Sequence, residues 1–580
     1  MHAGTASRTL GARLIVAAGA LALCAVGLAP SAKAAAAPPA TTTSAPQFVV
    51  APLPNPSGVT TPRNEDVEPG IGIDGAGTIW IGSNIDPNTG GDGRKSPAVG
   101  LLTGEDLWRS TDGGKTFQWV SDPYGAAGAD SFGLGGEDSD AIAAPEKNSL
   151  GEYNVYGVSL WLGASTLAWS QDGGHTFQLL QLGGISAQDR PWVSADGACT
   201  VYLSYHQLPL FLPVVNRYDV CNAATITSTP ALTINPVSQT QLFEANSAPG
   251  LTNGFNKPMV DTWPSSPHRH AIYVPMEACD LQSPMDFLQN VVTTAEQLPL
   301  CPSGVDTEVE VATSTDEGST WTTHVVAHNS NGEIQVWPTS VAAGPDGSVH
   351  VAWSDNHTAF TSVSHDAGAT WSAPRQVNQS PVLTTAYPTV AVGPDGHVDI
   401  AFYGTTTAGD TNDRTALGTP GDPAAAPWRL YLARSADGGG SFTQYALSGV
   451  IHTGELCTQG AACKADGDRN LYDDFGVAVS PTTGLTTIAF DADEPPTGAP
   501  AAKAVDPYTA YASELPPPAP TKGHGHGGGH GHTQGEAAGA ATVASLPDTS
   551  AAATARGAAA LAALALLATA ALRRTRRRRT

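Results

Sequence analysis

The chain has 580 residues, with 28 lysines and arginines against 53 aspartates and glutamates and a formal net charge of −25 at pH 7. Ten of the basic residues lie before residue 35 or after residue 550, so the middle is more acidic than the whole. Such a surface repels nucleic acid and anionic membranes, which excludes a DNA- or RNA-binding role.

Residues 1–34 read as a secretory signal peptide. Arg8 and Arg13 give a positive start, Leu14 to Leu28 an apolar run too short to span a bilayer, and Ala32-Lys33-Ala34 a small-x-small cleavage site. Leu23, just before Cys24, is too large for a lipoprotein signal. Residues 35–46 are mostly Ala, Pro and Thr and form a linker.

From there two elements alternate. The first is an alternating strand, a Gly-containing turn and a second strand, cleanest from Pro388 to Phe402 around Pro394-Asp395-Gly396, with relatives beginning near Gly70, Ala141, Pro191, Pro258, Pro338 and Phe475. The second is the octapeptide S-x-D-x-G-x-(T/S)-(F/W), found at Ser110–Phe117, Ser170–Phe177, Ser314–Trp321, Ser364–Trp371 and Ser435–Phe442. Its chemistry is that of a tight hairpin. The aspartates Asp112, Asp172, Asp316, Asp366 and Asp437 accept hydrogen bonds from turn amides, the glycine supplies a positive φ, and the aromatic ring anchors the turn. Seven strand pairs predict seven blades over 47–515, with six as the alternative if one blade has been counted twice. The fold class is all-β, a single β-propeller.

The octapeptide is the Asp-box, or BNR repeat, and on these five copies the chain resembles the sialidase-like superfamily of β-propellers. The resemblance implies that each box joins the third and fourth strands of a blade, away from the functional face. It also implies two alternative functions: a non-catalytic module recognising a glycan or glycoprotein, or an exo-glycosidase of sialidase type (an exo-α-sialidase). Whether the chain is an enzyme stays open at this point.

Functional residues of a propeller gather where each innermost strand begins. Those positions hold Arg63, Glu65, Asp66 and Glu68; Glu137, Asp138 and Asp140; Asp189 and Arg190; Lys257; Gln335 and Trp337; Tyr387; and Arg469, Tyr472, Asp473 and Asp474. Sialidases clamp a substrate carboxylate with three arginines, attack with a tyrosine and use an aspartate as acid/base. By role, Arg63, Arg190 and Arg469 would form such a clamp, Tyr472 or Tyr387 the nucleophile, and Asp66 or Asp140 the acid/base. Pro62-Arg63-Asn64 departs from the family's Arg-Ile-Pro segment, so no catalytic residue carries over by motif. For binding, Trp337, Tyr387 and Tyr472 would stack on sugar faces, with Asp189, Asp473 and Asp474 hydrogen-bonding hydroxyls.

Six cysteines follow the signal peptide, Cys199, Cys221, Cys279, Cys301, Cys457 and Cys463, and their spacing favours disulfides between sequential partners. Calcium is a candidate ligand of Asp466, Asp468, Asp473 and Asp474 or of Glu65, Asp66 and Glu68, although no EF-type spacing supports it and a solvated acidic loop is the favoured reading. His524, His526, His530 and His532, spaced by glycine, suit weak transition-metal capture or a plain polar spacer. Residues 516–556 form a Pro/Gly/His/Ala-rich spacer ending in Leu546-Pro547-Asp548-Thr549-Ser550, and 557–580 an apolar anchor with an arginine tail. That order resembles the sortase-read sorting signal of Gram-positive cell walls, with Ser550 in place of the family's glycine. The expected product is a monomeric exported propeller held at the cell envelope, by sortase and cell wall or by its membrane segment.

Overall fold

The computed structural model describes residues 45–56, 64, 66–85, 105–121, 137–161, 163–182, 188–207, 212–221, 232–234, 236–242, 252–278, 307–329, 334–335, 339–458, 469–473, 475–494 and 507–517. Contacts divide the chain into Met1–Ala45 and Pro46–Thr580, and all of the first unit but Ala45 lies outside the described residues.

The second unit is a seven-bladed β-propeller, each blade a sheet whose strands run outward from the central axis and pair antiparallel, except that Leu232–Ile234 adds in parallel to the outer edge of blade 2. Blade 1 comprises Asp66–Ile73, Ile79–Ile85, Glu105–Ser110 and Gln118–Ser121; blade 2, Glu137–Lys147, Tyr153–Trp161, Ala164–Ser170 and Gln178–Leu182. Blade 3 comprises Gln188–Asp196, Thr200–Gln207, Leu212–Asp219 and Ser238–Gln241; blade 4, Met259–Val260, Ile272–Ala278, Glu308–Ser314 and Thr322–His328, with Thr252–Phe255 also pairing on Ile272–Ala278. Blade 5 comprises Ser340–Ala343, Val349–Ser354, Ala359–Ser364 and Arg375–Gln376; blade 6, Thr384–Val392, Val398–Thr405, Pro427–Ser435 and Thr443–Ala446. Blade 7 takes three strands from the C-terminal side, Gly476–Val479, Thr486–Ala492 and Tyr508–Glu514, and its outermost from the N-terminal side, Phe48–Pro52, paired Phe48 to Glu514 through Pro52 to Ala510. Asn64 locks this closure, donating to Leu53 O and Thr509 O at 3.0 and 2.9 Å while its Oδ1 accepts from Thr509 N.

The seven predicted strand pairs are the two inner strands of the seven blades. The five octapeptides each connect the third strand to the fourth, in blades 1, 2, 4, 5 and 6; blades 3 and 7 have none. All five adopt one hydrogen-bonding pattern. In blade 1, Ser110 Oγ donates to Asp112 Oδ1 at 2.9 Å, and Gly114 N donates to Ser110 Oγ at 2.9 Å. Thr116 then donates from its amide to Asp112 Oδ1 and from its hydroxyl to Oδ2, at 3.0 and 2.7 Å. The same bonds recur around Asp172, Asp316, Asp366 and Asp437. The closing glycine also lets blades approach: at Gly174, with φ +83°, a Cβ would lie 2.2 Å from the Trp80 ring of blade 1.

Between blades the core is aromatic and aliphatic, with Trp80, Trp108, Trp169 and Trp428 fully buried. Phe117 of the first octapeptide meets Tyr511 of blade 7, ring centroids 4.5 Å apart. Cys199 and Cys221 form the predicted disulfide, binding the first hairpin of blade 3 to the end of its third strand. Cys457 is also disulfide-bonded; Cys279, Cys301 and Cys463 lie outside the described residues. No described helix is long and apolar enough to cross a membrane, and the signal, spacer, Leu546-Pro547-Asp548-Thr549 and anchor segments fall outside the description.

Candidate functional site at one end of the channel

Strand alternation sorts the connections. Within each blade the first hairpin turn and the third-to-fourth-strand connection, where the five octapeptides sit, lie at one end of the propeller. The blade-to-blade connections and the second-to-third-strand connections lie at the other, which is the mouth. The seven inner strands enclose a central channel of about 480 Å³, lined mainly by aliphatic residues such as Ile71, Ile142, Val341, Val390 and Val477. At its mouth end the wall becomes polar, with Asp140, Trp192, Asn256, Lys257 and Thr339.

Four inner strands, those of blades 1, 2, 3 and 6, reach the mouth through an irregularity that the sequence did not announce. The pairing register breaks between Val67 and Gly70, Glu137 and Ser139, Asp189 and Trp192, and Ala386 and Thr389. At each break one non-glycine residue has a left-handed backbone: Glu68 (φ +53°), Asp138 (+38°), Arg190 (+51°) and Tyr387 (+53°). Tyr472 (+49°) does the same just ahead of blade 7. Glu68, Arg190 and Tyr387 are each followed by proline, which has no N–H to lose from the ladder where the bulge interrupts it. A bulge re-aims the side chain it carries. Side-chain acceptors from the preceding blade hold three of these backbones: Glu68 N donates to Asp491 Oδ2 at 3.1 Å, Arg190 N to Asp138 Oδ2 at 3.4 Å and Tyr387 N to Gln335 Oε1 at 2.8 Å.

The charged side chains are brought together as ion pairs. Arg190 Nη2 lies 3.3 Å from Glu68 Oε1 and also contacts Asp473, a carboxylate it shares with Arg469. Lys257 Nζ lies 2.7 Å from Asp140 Oδ1, whose other oxygen accepts from Val193 N at 2.9 Å. The Asp140 carboxyl is pushed up by burial, against the opposing pull of Lys257. His206, stacked edge-on to Trp192 with centroids 6.1 Å apart, is held neutral: burial and then the Arg190 charge lower it to about 3. Glu277 was absent from the sequence expectations. Its Oε1 accepts from Asn256 Nδ2 at 2.9 Å and Thr339 N at 2.7 Å, and burial pushes its carboxyl up to about 7.

Several expected roles look different in place. The described arginines, Arg190 and Arg469, converge on Asp473 and are not arrayed as an open clamp. Tyr387 is fully buried, its ring against Tyr403 and its hydroxyl donating to Cys457 O at 3.5 Å, and Tyr472 is nearly so. Neither presents a face for stacking; for Tyr387 the reason is that Leu447, Ile451 and Leu456 pack into the core cluster that holds it. Trp192, which is not among the expected site residues, lines the channel. Asp66 is buried beside the closure, its carbonyl accepting from Thr509 Oγ1, and Asp189 is half-buried next to Arg190. Arg63, Glu65, Trp337, Asp466, Asp468, Asp474 and the four spacer histidines lie outside the described residues. Among the described residues no cluster of three or more His, Cys, Asp or Glu is arranged to hold a metal ion.

No family model and no curated protein matches the chain. Solved structures similar to it include a Hadza microbial sialidase, 12% identical over 78% of this chain and 66% of that one, TM-score 0.36. An α-L-arabinanase from Penicillium chrysogenum is 12% identical over 81% of this chain and 97% of its own, TM-score 0.38. An α-L-arabinofuranosidase from Fusarium graminearum is 13% identical over 62% and 93%, TM-score 0.38. Likeness this loose carries no argument about activity, and the seven-bladed ring rests on the sheet order itself.

Proposed function

We propose that this chain is an exported, envelope-tethered propeller that recognises extracellular carbohydrate, free or on a glycoprotein, at the mouth of its channel. The observation carrying this reading is the recurrence of a left-handed, non-glycine residue at the mouth end of five blades, four of them at a bulge. Each such residue stores about 1–3 kcal/mol of backbone strain. Strain repeated at one end, and held there by acceptors from neighbouring blades, supports a recognition role for that end. Buried, hydrogen-bonded charges beside Trp192 fit a ligand with many hydroxyls and an apolar ring face.

Recognition without catalysis is favoured because the described arginines are not arranged as a carboxylate clamp. The exo-glycosidase reading keeps one specific support: Asp140, on the channel wall, is held toward its neutral form as a general acid would be. Glycan-array binding and a panel of fluorogenic exo-glycosides, including an α-sialoside, test both readings on wild type and Asp140→Asn. Binding without turnover is expected. Turnover of one glycoside that Asp140→Asn abolishes would make the chain a glycosidase, and neither binding nor turnover would remove the carbohydrate reading.

A further inference from the structure

We infer that the mouth favours neutral saccharides over carboxylate-bearing glycans, an inference that rests on the carbohydrate reading and adds the chemistry of its ligand. Each described cation at the mouth already faces a carboxylate of the protein. Arg190 is held by Glu68 and Asp473, Arg469 by the same Asp473, and Lys257 by Asp140 at 2.7 Å.

Burial makes these pairs hard to exchange. The side chains of Asp473 and Asp140 are 1% and 2% exposed. A ligand carboxylate that captured Arg190 or Lys257 would leave a protein carboxylate buried without its cation, an arrangement that is strongly disfavoured. Hydroxyls face no such barrier. An ammonium and a guanidinium carry more N–H donors than a single carboxylate oxygen takes up, and those donors suit the oxygens of a neutral sugar.

The test is calorimetric binding of matched pairs to the purified chain: lactose against 3′-sialyllactose, and galactobiose against digalacturonate, with further pairs from any core that a glycan array identifies. The neutral member of a pair is expected to bind at least tenfold more tightly. In Asp473→Asn, where Arg190 and Arg469 lose their shared carboxylate, that ratio is expected to narrow or invert. Asp140→Asn poses the same question at Lys257 should the first variant fail to fold. Tighter or equal binding of the anionic member by wild type overturns the inference while leaving carbohydrate recognition standing, and so does a ratio unmoved in a folded variant. Absence of binding to every glycan removes the carbohydrate reading and this inference together.

Discussion

The two ends of the propeller are built by opposite rules. At the octapeptide end, five turns repeat one pattern of hydrogen bonds confined to seven consecutive residues, from Ser110 to Thr116 in blade 1, and four of the five aspartates are exposed, with Asp172 half-buried. At the mouth nothing repeats except the backbone bulge. Its side chains differ from blade to blade, are buried, and find partners far away in sequence, as Arg190 does with Glu68 and Asp473. The repeated end supplies the architecture, while the end where the same backbone carries Glu, Asp, Arg and Tyr in turn can acquire specificity without disturbing it.

This contrast predicts a descending series of effects. Arg190→Ala should be the most damaging, about 3 kcal/mol in urea unfolding, because it leaves Glu68 and part of Asp473 buried without compensation. A loss below ~1 kcal/mol would mean that the mouth pairs behave like solvated ones. Asp172→Ala removes acceptors for Ser170, His175 and Thr176 and should destabilise by about 2 kcal/mol, given ~1 kcal/mol per hydrogen bond with some solvent compensation. Ligand preference should survive it. Abolished binding in a folded Asp172→Ala protein would break the division of labour between the two ends.

The smallest effect is a limb of acid sensitivity arising at the octapeptide end. Hydrogen bonds from Thr370 hold the Asp366 carboxyl at about 2, and those from Ser435 and Ser441 do the same for Asp437, against an ordinary value of 3.8. A depressed folded value means that the unfolded chain takes up protons first. Their contribution is therefore complete above pH 4 and drains away as the pH falls from about 4 to 2. Thermal melts across that window should flatten when both are replaced by asparagine, and an unchanged slope would assign the acid limb to other carboxylates.

The legibility of the sequence follows the same division. Octapeptides and Pro-Asp-Gly hairpins announce themselves because their physics is local: a side chain bonds an amide two to four residues away, and Gly396 supplies the positive φ its turn requires. Seven strand pairs therefore sufficed to count blades. The Cys199–Cys221 bridge was readable for the same reason. The strand Phe48–Pro52 was not, since its partner lies more than 450 residues away and an edge strand of five half-buried residues has no distinguishing pattern. At the mouth the positions were found, but the roles were not. Whether Tyr387 faces ligand or core depends on the Leu447–Cys457 segment packed near it, and whether Arg190 is open or engaged depends on Asp473, 283 residues away. Glu277 carried one signal that went unused, a lone acid in the otherwise apolar second strand of blade 4, Ile272–Ala278.

The N-terminal strand of blade 7 also has a mechanical meaning. Tyr508–Glu514 is the last strand of the ring, and the chain leaves the propeller from its end toward Leu515. That strand is not an edge: Thr486–Ala492 pairs along one side and Phe48–Pro52 along the other. A pull on the C-terminal side of Glu514 runs along the strand axis, so both ladders resist it in shear, with their hydrogen bonds loaded together instead of peeled in succession. Because Phe48–Pro52 belongs to the opposite end of the chain, the point that bears the load is also the point where the ring is fastened.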